Sequence, residues 1–376
     1  MGVSDKTVSK WESGLGFPEI TQFPALAALF HVSLDYLMTG ARSGIVIAGS
    51  TMTDLVKTID VFPAIGMLTN IDAVERAVGG CAPNTAINLS VIDGSIPISL
   101  IGRVGDDEHG RFIISMLQQH GIRTDRLRVS STAPTGFCDV MSLPSGERTF
   151  FHAKGANAEF SPQDVDIPSL NCSIFHIGYL LLLDRFDAPD EEYGTVMARF
   201  LHDLQAQGIK TSIDAVSRSS ADYPAVLIPP LRYCDYVIMN ELECTAMWGI
   251  RSHGDDGKPI YDNIRLAMEK TMAEGVREKV IVHCREAGFC LDRSGEFRMA
   301  PSIDLPRSEI KGKVGAGDAF CAGCLYGLYN RLPDEALLNF AASAAACNLF
   351  SENSVDGMKS KDEIMKIPEK YGRMAL

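Results

Sequence analysis

The sequence has little of what nucleic-acid-binding and membrane proteins need. It contains 35 lysine and arginine residues against 48 aspartate and glutamate residues, which gives a formal net charge of −13. Phosphate backbones are bound by clustered basic side chains, so this charge argues against a nucleic-acid-binding surface over most of the molecule. No apolar run approaches the roughly 20 residues of a membrane span, and the N-terminus has no signal-peptide core. We therefore expect a cytoplasmic protein.

Paired metal-ligand spacings are also scarce. The ten cysteines stand mostly alone inside apolar segments, as Cys138 and Cys347 do, and this is typical of reduced, buried thiols. Cys321 and Cys324 form a C-x-x-C pair, but no second pair of cysteines or histidines has the spacing of a metal site. We expect both to pack within a helix.

The first 42 residues differ in character from the rest of the 376-residue chain. Ser4 can cap a short polar helix that ends before the glycines and proline of residues 14–18, and two more short helices fit residues 20–30 and 33–38. This all-α segment resembles the second half of a Cro/repressor-type helix-turn-helix domain without its first helices. A recognition helix without that scaffold is not expected to bind DNA by itself. The segment is interpreted as a truncated remnant or a misassigned start.

Beyond a linker at residues 41–44, short apolar runs alternate with helical patterns. The runs typical of buried strands are 44–49, 98–101, 173–182, 210–213, 236–239 and 279–283, and the helical patterns include 110–119, 191–207 and 261–273. This alternation predicts an α/β fold whose mostly parallel sheet is covered on both faces, with ligands at the carboxyl ends of the strands. Two regions, about 55–78 and about 135–155 with a turn at 144–147, interrupt the alternation and predict a small β lid.

A small-residue turn near the C-terminus carries the strongest chemical signal. Gly315, Ala316 and Gly317 run into an almost uncharged helical segment, so their amides are expected among the unpaired donors at a helix start, where anions bind. Asp318 falls in the first helical turn, where its carboxylate can take a proton from an attacking hydroxyl. A plain helix entry is the alternative for the same residues.

Two other stretches can contribute polar groups to the same edge of the sheet. Gly80 and Asn84 precede or begin a helix, where a glycine backbone and an amide suit a polyhydroxylated ligand; the alternative is a tight turn with a cap. Asp54 follows the first strand and is a second candidate partner for a ligand hydroxyl, or else a turn residue. Asn240 and Glu243 follow the strand at 236–239 and can hold the waters of Mg²⁺, although helix capping by Asn240 explains them equally well.

Taken together, these motifs resemble the ribokinase-like (PfkB) carbohydrate kinases. The resemblance covers residues 44 to about 357 and rests on Gly79-Gly80 with Asn84, on GRVGDDEHG at 102–110, on Gly155-Ala156-Asn157, on Asn240-Glu241-Leu242-Glu243, and on Gly315-Ala316-Gly317-Asp318. It implies a ribokinase-like α/β/α sandwich over residues 43–376 with a β lid, ATP as phosphoryl donor, and transfer to a hydroxyl of a sugar or sugar acid.

The resemblance also implies a role for each matching residue. Asp318 is the expected base, and Gly315, Ala316 and Gly317 form the expected anion hole. The expected sugar-binding residues are Asp54, Gly80, Asn84 and Asn157. For the nucleotide and Mg²⁺ the expected residues are Asn240, Glu243 (also the metal ligand), Gly288 and Asn348, where a core or capping role for Asn348 is the alternative.

The sequence departs from the family pattern at two places. Gly312 and Lys313 stand where the family usually has Asp-Thr ahead of the anion hole, and His283-Cys284-Arg285 replaces a Thr-x-Gly near the adenine pocket. In the family, the Asp-Thr pair helps to hold a monovalent cation that orders the turn amides. Gly312 in place of the aspartate would remove a formal negative ligand of that cation. We predict that the Lys313 ammonium takes over part of that role and that activity is largely independent of K⁺. The alternative is that Lys313 points to solvent and the turn is simply weaker.

The sequence therefore predicts an ATP- and Mg²⁺-dependent sugar or sugar-acid kinase that does not associate with membranes and that forms a homodimer through its lid. A nucleoside kinase of the same fold is the first alternative. The second is a sugar-sensing transcriptional regulator that keeps the fold without efficient catalysis; Asp318, Asn240 and Glu243 speak against it, whereas Lys313 and Arg285 keep it open.

Overall fold

An eight-stranded sheet runs through the chain from residue 45 onward in the computed structural model, which describes residues 2–30, 34–40, 42–145, 147–219 and 222–376. Ser33, Ala41 and Gly146, which belong to the predicted third helix, linker and lid turn, lie outside these ranges. The strands are β1 (Ile45–Gly49), β2 (Met52–Ile59), β3 (Ile71–Gly79), β4 (Ile98–Ile101), β5 (Arg103–Gly105), β6 (Arg128–Ser130), β7 (Gly136–Ser142), β8 (Arg148–Ala153), β9 (Ile174–Leu180), β10 (Pro189–Asp190), β11 (Gly194–Thr195), β12 (Lys210–Ala215), β13 (Tyr236–Asn240), β14 (Lys279–His283), β15 (Ala287–Asp292) and β16 (Phe297–Pro301).

Helices cover both faces of this sheet. They are α1 (Asp5–Glu12), α2 (Phe23–Leu29), α3 (Leu34–Thr39), α4 (Cys81–Ile92), α5 (Glu108–Gln119), α6 (Val196–Ala206), α7 (Tyr223–Leu227), α8 (Glu241–Ala246), α9 (Tyr261–Ala273), α10 (Ala316–Tyr329), α11 (Asp334–Asn348), α12 (Lys361–Ile364) and α13 (Ile367–Tyr371). Within the described ranges, none of the helices combines the length and the apolar character that a membrane crossing requires.

The sheet order is β16-β15-β14-β13-β12-β9-β1-β4. The six strands from β14 to β4 are parallel, and β15 and β16 extend one edge as antiparallel strands. One hydrophobic core packs α4, α10 and α11 against one face, and a second core packs α6 and α9 against the other. The layers form the predicted α/β/α sandwich, and the apolar runs of the sequence supply its buried parallel strands because both faces are covered.

A separate four-stranded sheet in the order β3-β2-β7-β8 forms the lid. Two antiparallel hairpins, β2–β3 and β7–β8, meet along a parallel pairing of β2 with β7. The lid strands lie within residues 52–79 and 136–153, close to the predicted bounds. Only two residues separate the end of β1 in the main sheet from the start of β2 in the lid. The lid therefore starts directly at the carboxyl end of a central strand.

The N-terminal helices are joined to the sandwich at Arg42. Its guanidinium donates to the carbonyl oxygens of Leu170 at 2.5 Å and Gln207 at 2.7 Å, and it stacks over the Tyr36 ring. The predicted boundary between residues 42 and 43 remains a prediction.

The predicted start of the helix at residues 191–207 was wrong: α6 begins at Val196, because β10 and β11 occupy the preceding residues. The β15–β16 hairpin was not predicted.

Candidate active site

The turn before α10 has the conformation of a helix start built for close backbone approach. Gly315 has φ +79°, in the left-handed region that favours glycine, and a Cβ at this position would lie 2.5 Å from the Cβ of Ser354. The first helical hydrogen bond runs from the Ala319 amide to the Gly315 carbonyl at 2.8 Å. The amides of Ala316, Gly317 and Asp318 come before that bond, so they are the donors that a helix start leaves for an anion.

Two buried asparagines support this turn from neighbouring helices. The Asn348 side chain at the end of α11 donates to the Val314 carbonyl at 2.7 Å, and the Asn88 side chain on α4 donates to the Ser354 carbonyl at 3.3 Å. Asn348 was a candidate nucleotide residue, and its contact supports the alternative, a structural role beside the turn. Its Oδ1 atom has no partner among the described residues.

Asp318 is buried, and both of its carboxylate oxygens accept hydrogen bonds. The Asn84 amide donates to Oδ2 at 2.9 Å, and the Tyr179 hydroxyl donates to Oδ1 at 2.6 Å. Burial raises the pKa of Asp318 to about 6, against the lowering effect of these two hydrogen bonds. Asn84, a predicted sugar-binding residue, is buried within α4 and faces Asp318.

Two further acidic groups, Asp54 and Asp214, interact with Asp318, and a third, Glu243, interacts with Asp214. Asp54 belongs to lid strand β2 rather than to a turn after β1, and its pKa is raised to about 7 by burial and then by the Asp318 charge. Burial and the charges of Glu243 and Asp318 raise the pKa of Asp214 at the end of β12. Burial also raises the pKa of Glu243 to about 7. Besides burial, the groups that raise the pKa values of Asp54 and Asp214 are other carboxylates, so the site is rich in acidic groups.

Asn240 and Glu243 bind each other at the carboxyl end of β13. The Asn240 side chain accepts from the Glu243 amide at 2.9 Å and donates to Glu243 Oε1 at 2.7 Å, while Glu243 Oε2 accepts from the Asn240 amide at 3.0 Å. Ser217 also donates to Glu243, at 2.9 Å. This is the capping box that was the alternative interpretation, and it fixes two oxygen-bearing side chains at the edge where Asp214 also lies.

The remaining predicted residues have mainly structural contacts. Gly80 precedes α4 at the end of the lid. Asn157 is buried, and its side-chain amide makes two hydrogen bonds to the backbone of Thr51. Its Oδ1 accepts from the Thr51 amide at 2.9 Å, and its Nδ2 donates to the Thr51 carbonyl oxygen at 2.8 Å. Gly288 lies on β15 opposite His283 rather than in a loop, and a Cβ there would lie 3.0 Å from the Phe320 ring. The sugar-binding role of Asn157 and the nucleotide-binding role of Gly288 stay predictions.

The departures from the family pattern have physical explanations. Gly312 is buried, and a Cβ there would lie well inside contact distance of the Ser351 carbonyl oxygen, so the backbone has no room for an aspartate at this position. The side chain of Lys313 is exposed. The His283 ring packs against the Phe320 ring at a tilt of 40°, with centroids 4.7 Å apart, and lies beside Gly317. Burial lowers the pKa of His283 to about 4, so a neutral imidazole lies beside the turn.

One buried cluster has the donor types of a metal site. His176, Asp214 and Cys321 have ligand atoms within 4.8 Å of one another. However, His176 already shares Nδ1 with Ser212 at 2.9 Å and Nε2 with the Cys321 thiol at 3.5 Å. Burial raises the pKa of the Cys321 thiol well above its usual value, so the neutral thiol is favoured. We interpret the cluster as hydrogen-bonded core.

Tyr179 and Asp214 were not identified from the sequence. Both stand at the carboxyl ends of predicted central strands, which is where ligand-facing side chains of a parallel sheet collect, so their position was the available signal. Two surface cavities, of about 430 and 410 Å³, are lined by none of the predicted site residues.

Comparison with known proteins decides the family. Residues 42–361 match the family described as pfkB family carbohydrate kinase. The chain belongs to the PfkB family. Among curated PfkB relatives, a ribokinase of Arabidopsis thaliana is 24% identical over 86% of this chain and 80% of its own length, and a 5-dehydro-2-deoxygluconokinase of Geobacillus kaustophilus is 24% identical over 79% and 86%. The predicted carbohydrate-kinase family is thereby confirmed.

Solved structures confirm the fold. Arabidopsis thaliana ribokinase complexed with ribose and ATP superposes with a TM-score of 0.71 at 20% identity, over 87% of this chain and 98% of that one. A nucleoside kinase of Methanocaldococcus jannaschii, an archaeal member of the ribokinase family, superposes with a TM-score of 0.66 at 18% identity, over 88% and 100%. The PfkB chain thus has the ribokinase-like sandwich. At sequence identities of 20% and below, these superpositions are evidence for the fold alone.

Proposed function

We propose that this PfkB protein transfers the γ-phosphoryl group of ATP to a hydroxyl group of a sugar or sugar acid, with Asp318 as general base. The observation that carries the proposal is the placement of Asp318 in the first turn of α10, directly after the Gly315–Gly317 turn, with both oxygens oriented by Asn84 and Tyr179. A base and a set of free amides on the same helix start suit in-line phosphoryl transfer.

The chemistry follows from the two groups. The acceptor hydroxyl gives its proton to an Asp318 carboxylate oxygen while its own oxygen forms a bond to the γ-phosphorus, and the bond to the β-phosphate oxygen breaks to release ADP. A pKa of about 6 leaves Asp318 about nine-tenths ionised at pH 7 and still basic enough to accept that proton. The amides of Ala316, Gly317 and Asp318 stabilise the charge that moves onto the transferred phosphoryl group.

The acidic surroundings of the site fit a magnesium nucleotide. Four buried carboxyl groups with raised pKa values lie at this edge of the sheet, and oxygen donors of this kind suit Mg²⁺. Asn240 and Glu243 are the residues that would hold Mg²⁺ through its waters. When bound, Mg²⁺ neutralises charge on the phosphate oxygens. Asp54 and Asn84 are the side chains best placed to meet the sugar, since both lie next to Asp318.

A phosphorylation screen tests the proposal. Purified protein is incubated with ATP and Mg²⁺ against panels of sugars, sugar acids and nucleosides, and ADP release is measured. Turnover confined to nucleosides would favour the first alternative, which the likeness to a nucleoside kinase fold keeps open. Binding of a sugar without turnover, by thermal shift, would favour the regulator. The cytoplasmic location and the absence of DNA binding remain predictions from composition.

We also infer that two copies associate through the lid. Lid residues Ile71, Val74, Phe150 and Phe151 are exposed although they are large and apolar, and apolar side chains grouped on one small sheet favour association. Size-exclusion chromatography with light scattering should give a dimer for the wild-type protein and a monomer for Phe151→Lys.

A further inference from the structure

Tyr179 connects the centre of the main sheet to Asp318. It lies next to the end of β9, between β12 and β1 in the middle of the main sheet, and its ring packs against the core that contains α4 and α10. Its hydroxyl is 2.6 Å from Asp318 Oδ1. Asp318 is 139 residues away along the chain, so the contact exists only because the fold brings the sheet edge to the helix start.

The Asp318 carboxylate is held from two different elements. Tyr179 reaches Oδ1 from the sheet, whereas Asn84 reaches Oδ2 from α4 at 2.9 Å. A carboxylate fixed at both oxygens cannot rotate freely about its side-chain bonds. Each oxygen keeps a second lone pair, so an acceptor hydroxyl can still donate to Asp318 without displacing Tyr179.

We propose that Tyr179 is a positioning residue for phosphoryl transfer: its hydroxyl orients Asp318 and keeps the carboxylate ionised in a buried, acidic site. This inference rests on the proposed role of Asp318 as general base. Tyr179 itself is not expected to exchange a proton during turnover. Its phenol acts as a fixed donor to the charged form of the base.

The charges around Asp318 explain why such a donor is needed. The titratable groups that interact with it are Asp54 on β2, Cys81 on α4, Tyr179 on β9, Asp214 on β12 and Cys321 on α10 itself. Each would add negative charge if it ionised, which would favour protonated Asp318. Only the hydrogen bonds from Tyr179 and Asn84 lower the pKa of Asp318. Burial and the Asp318 charge raise the pKa of Tyr179 well above its usual value, so the phenol remains a donor at neutral pH.

The test is the pH dependence of turnover in Tyr179→Phe, which removes one hydroxyl and keeps the ring. Loss of a donor to the charged form raises the pKa of Asp318, so the acid limb of the kcat profile should move to higher pH by about one pH unit. We expect kcat at neutral pH to fall by about tenfold, with KM for the sugar changed by less than about threefold, because the contact orients the base rather than the substrate.

Tyr236→Phe is the matched control. Its hydroxyl also donates to a carboxylate, Glu278 at 2.8 Å, but at the amino end of β13, two strands away from β9 in the sheet. This variant should change thermal stability without moving the pH profile. If Tyr179→Phe does not fold, site-specific 3,5-difluorotyrosine at position 179 provides a second measurement. Its more acidic phenol is a stronger donor and should move the acid limb to lower pH.

The outcomes separate this inference from the proposed function. An acid limb that stays in place in the Tyr179 variants, while Asp318→Asn is inactive, would overturn the role of Tyr179 and leave the kinase mechanism intact. Retained turnover in Asp318→Asn would overturn both. A shifted limb in Tyr179→Phe together with an unshifted limb in Tyr236→Phe supports the positioning role.

Discussion

Replacing Asp318 by asparagine should inactivate the protein and at the same time make it more stable. A general base acts in the transition state, so turnover should fall at least about a hundredfold while sugar binding stays near that of the wild type. The stability gain has a separate origin. Asp318 is buried with a charge at neutral pH, and folding must pay for removing that charge from water.

The size of the gain follows from the pKa. Asp318 has a pKa of about 6 in the folded protein, against 3.8 for the free side chain, and this difference corresponds to about 3 kcal/mol in the free energy of unfolding. Because the folded state binds the proton more tightly, the penalty is absent below pH 4, grows as the pH rises towards 6, and is complete above it. Asparagine removes the charge and can keep a partner in Asn84, whose Oδ1 is unpaired among the described residues. We therefore expect a gain of about 1–3 kcal/mol at pH 8.

Urea unfolding of both proteins at several pH values between 4.5 and 8 measures this gain. The difference between Asp318→Asn and wild type should be largest at pH 8 and should shrink as the pH falls. Asp60→Asn, which removes a charge from an exposed position of the lid, should show no such trend. A variant that is less stable than wild type at pH 8, or a difference that does not change with pH, would refute the reasoning.

Three further predictions concern the turn, the proposed magnesium ligand and the N-terminal segment. Gly315→Ala should lower the free energy of unfolding by about 3 kcal/mol, because backbone strain at φ +79° adds to the close contact with Ser354. It should also lower turnover. Gly208→Ala, at φ +73° with open space around it, should cost only about 1 kcal/mol in thermal or urea unfolding. Glu243→Gln should raise the Mg²⁺ concentration needed for half-maximal rate; an unmoved titration curve would remove Glu243 from that role. Deleting residues 1–40 should leave kinase activity intact, since Arg42 keeps its contacts to the sandwich; insoluble protein would show that the segment is needed for folding.

The sequence predicted the fold better than the hydrogen-bond partners of the site residues. The central strands were visible because strands covered on both faces form continuous apolar runs, and the turn at 315–317 was visible because small residues precede a helical segment. The β15–β16 hairpin was not predicted, since the residues of these two antiparallel edge strands have no composition that distinguishes them from other segments. Periodicity identifies elements, whereas the partners of a side chain depend on how the elements pack.

Particular residues illustrate that limit. Asn84 and Asp318 were both predicted, but that the first donates to the second depends on α4 packing beside α10. Asn157 had the right motif for a sugar contact, yet its amide is used by the Thr51 backbone. The close approach of the backbone at Gly312 to Ser351 was likewise not predictable from the sequence, and it explains why a glycine rather than an aspartate stands at position 312.

The distances along the chain between Asp318 and its partners also bear on synthesis. Asn84 and Tyr179 precede Asp318 by 234 and 139 residues, so a ribosome releases both donors long before the helix that carries the proposed base. The strands β13 to β16 and the helix α10 follow both donors along the chain. A nascent chain can therefore assemble its lid and half of its sheet before the proposed base has been synthesised.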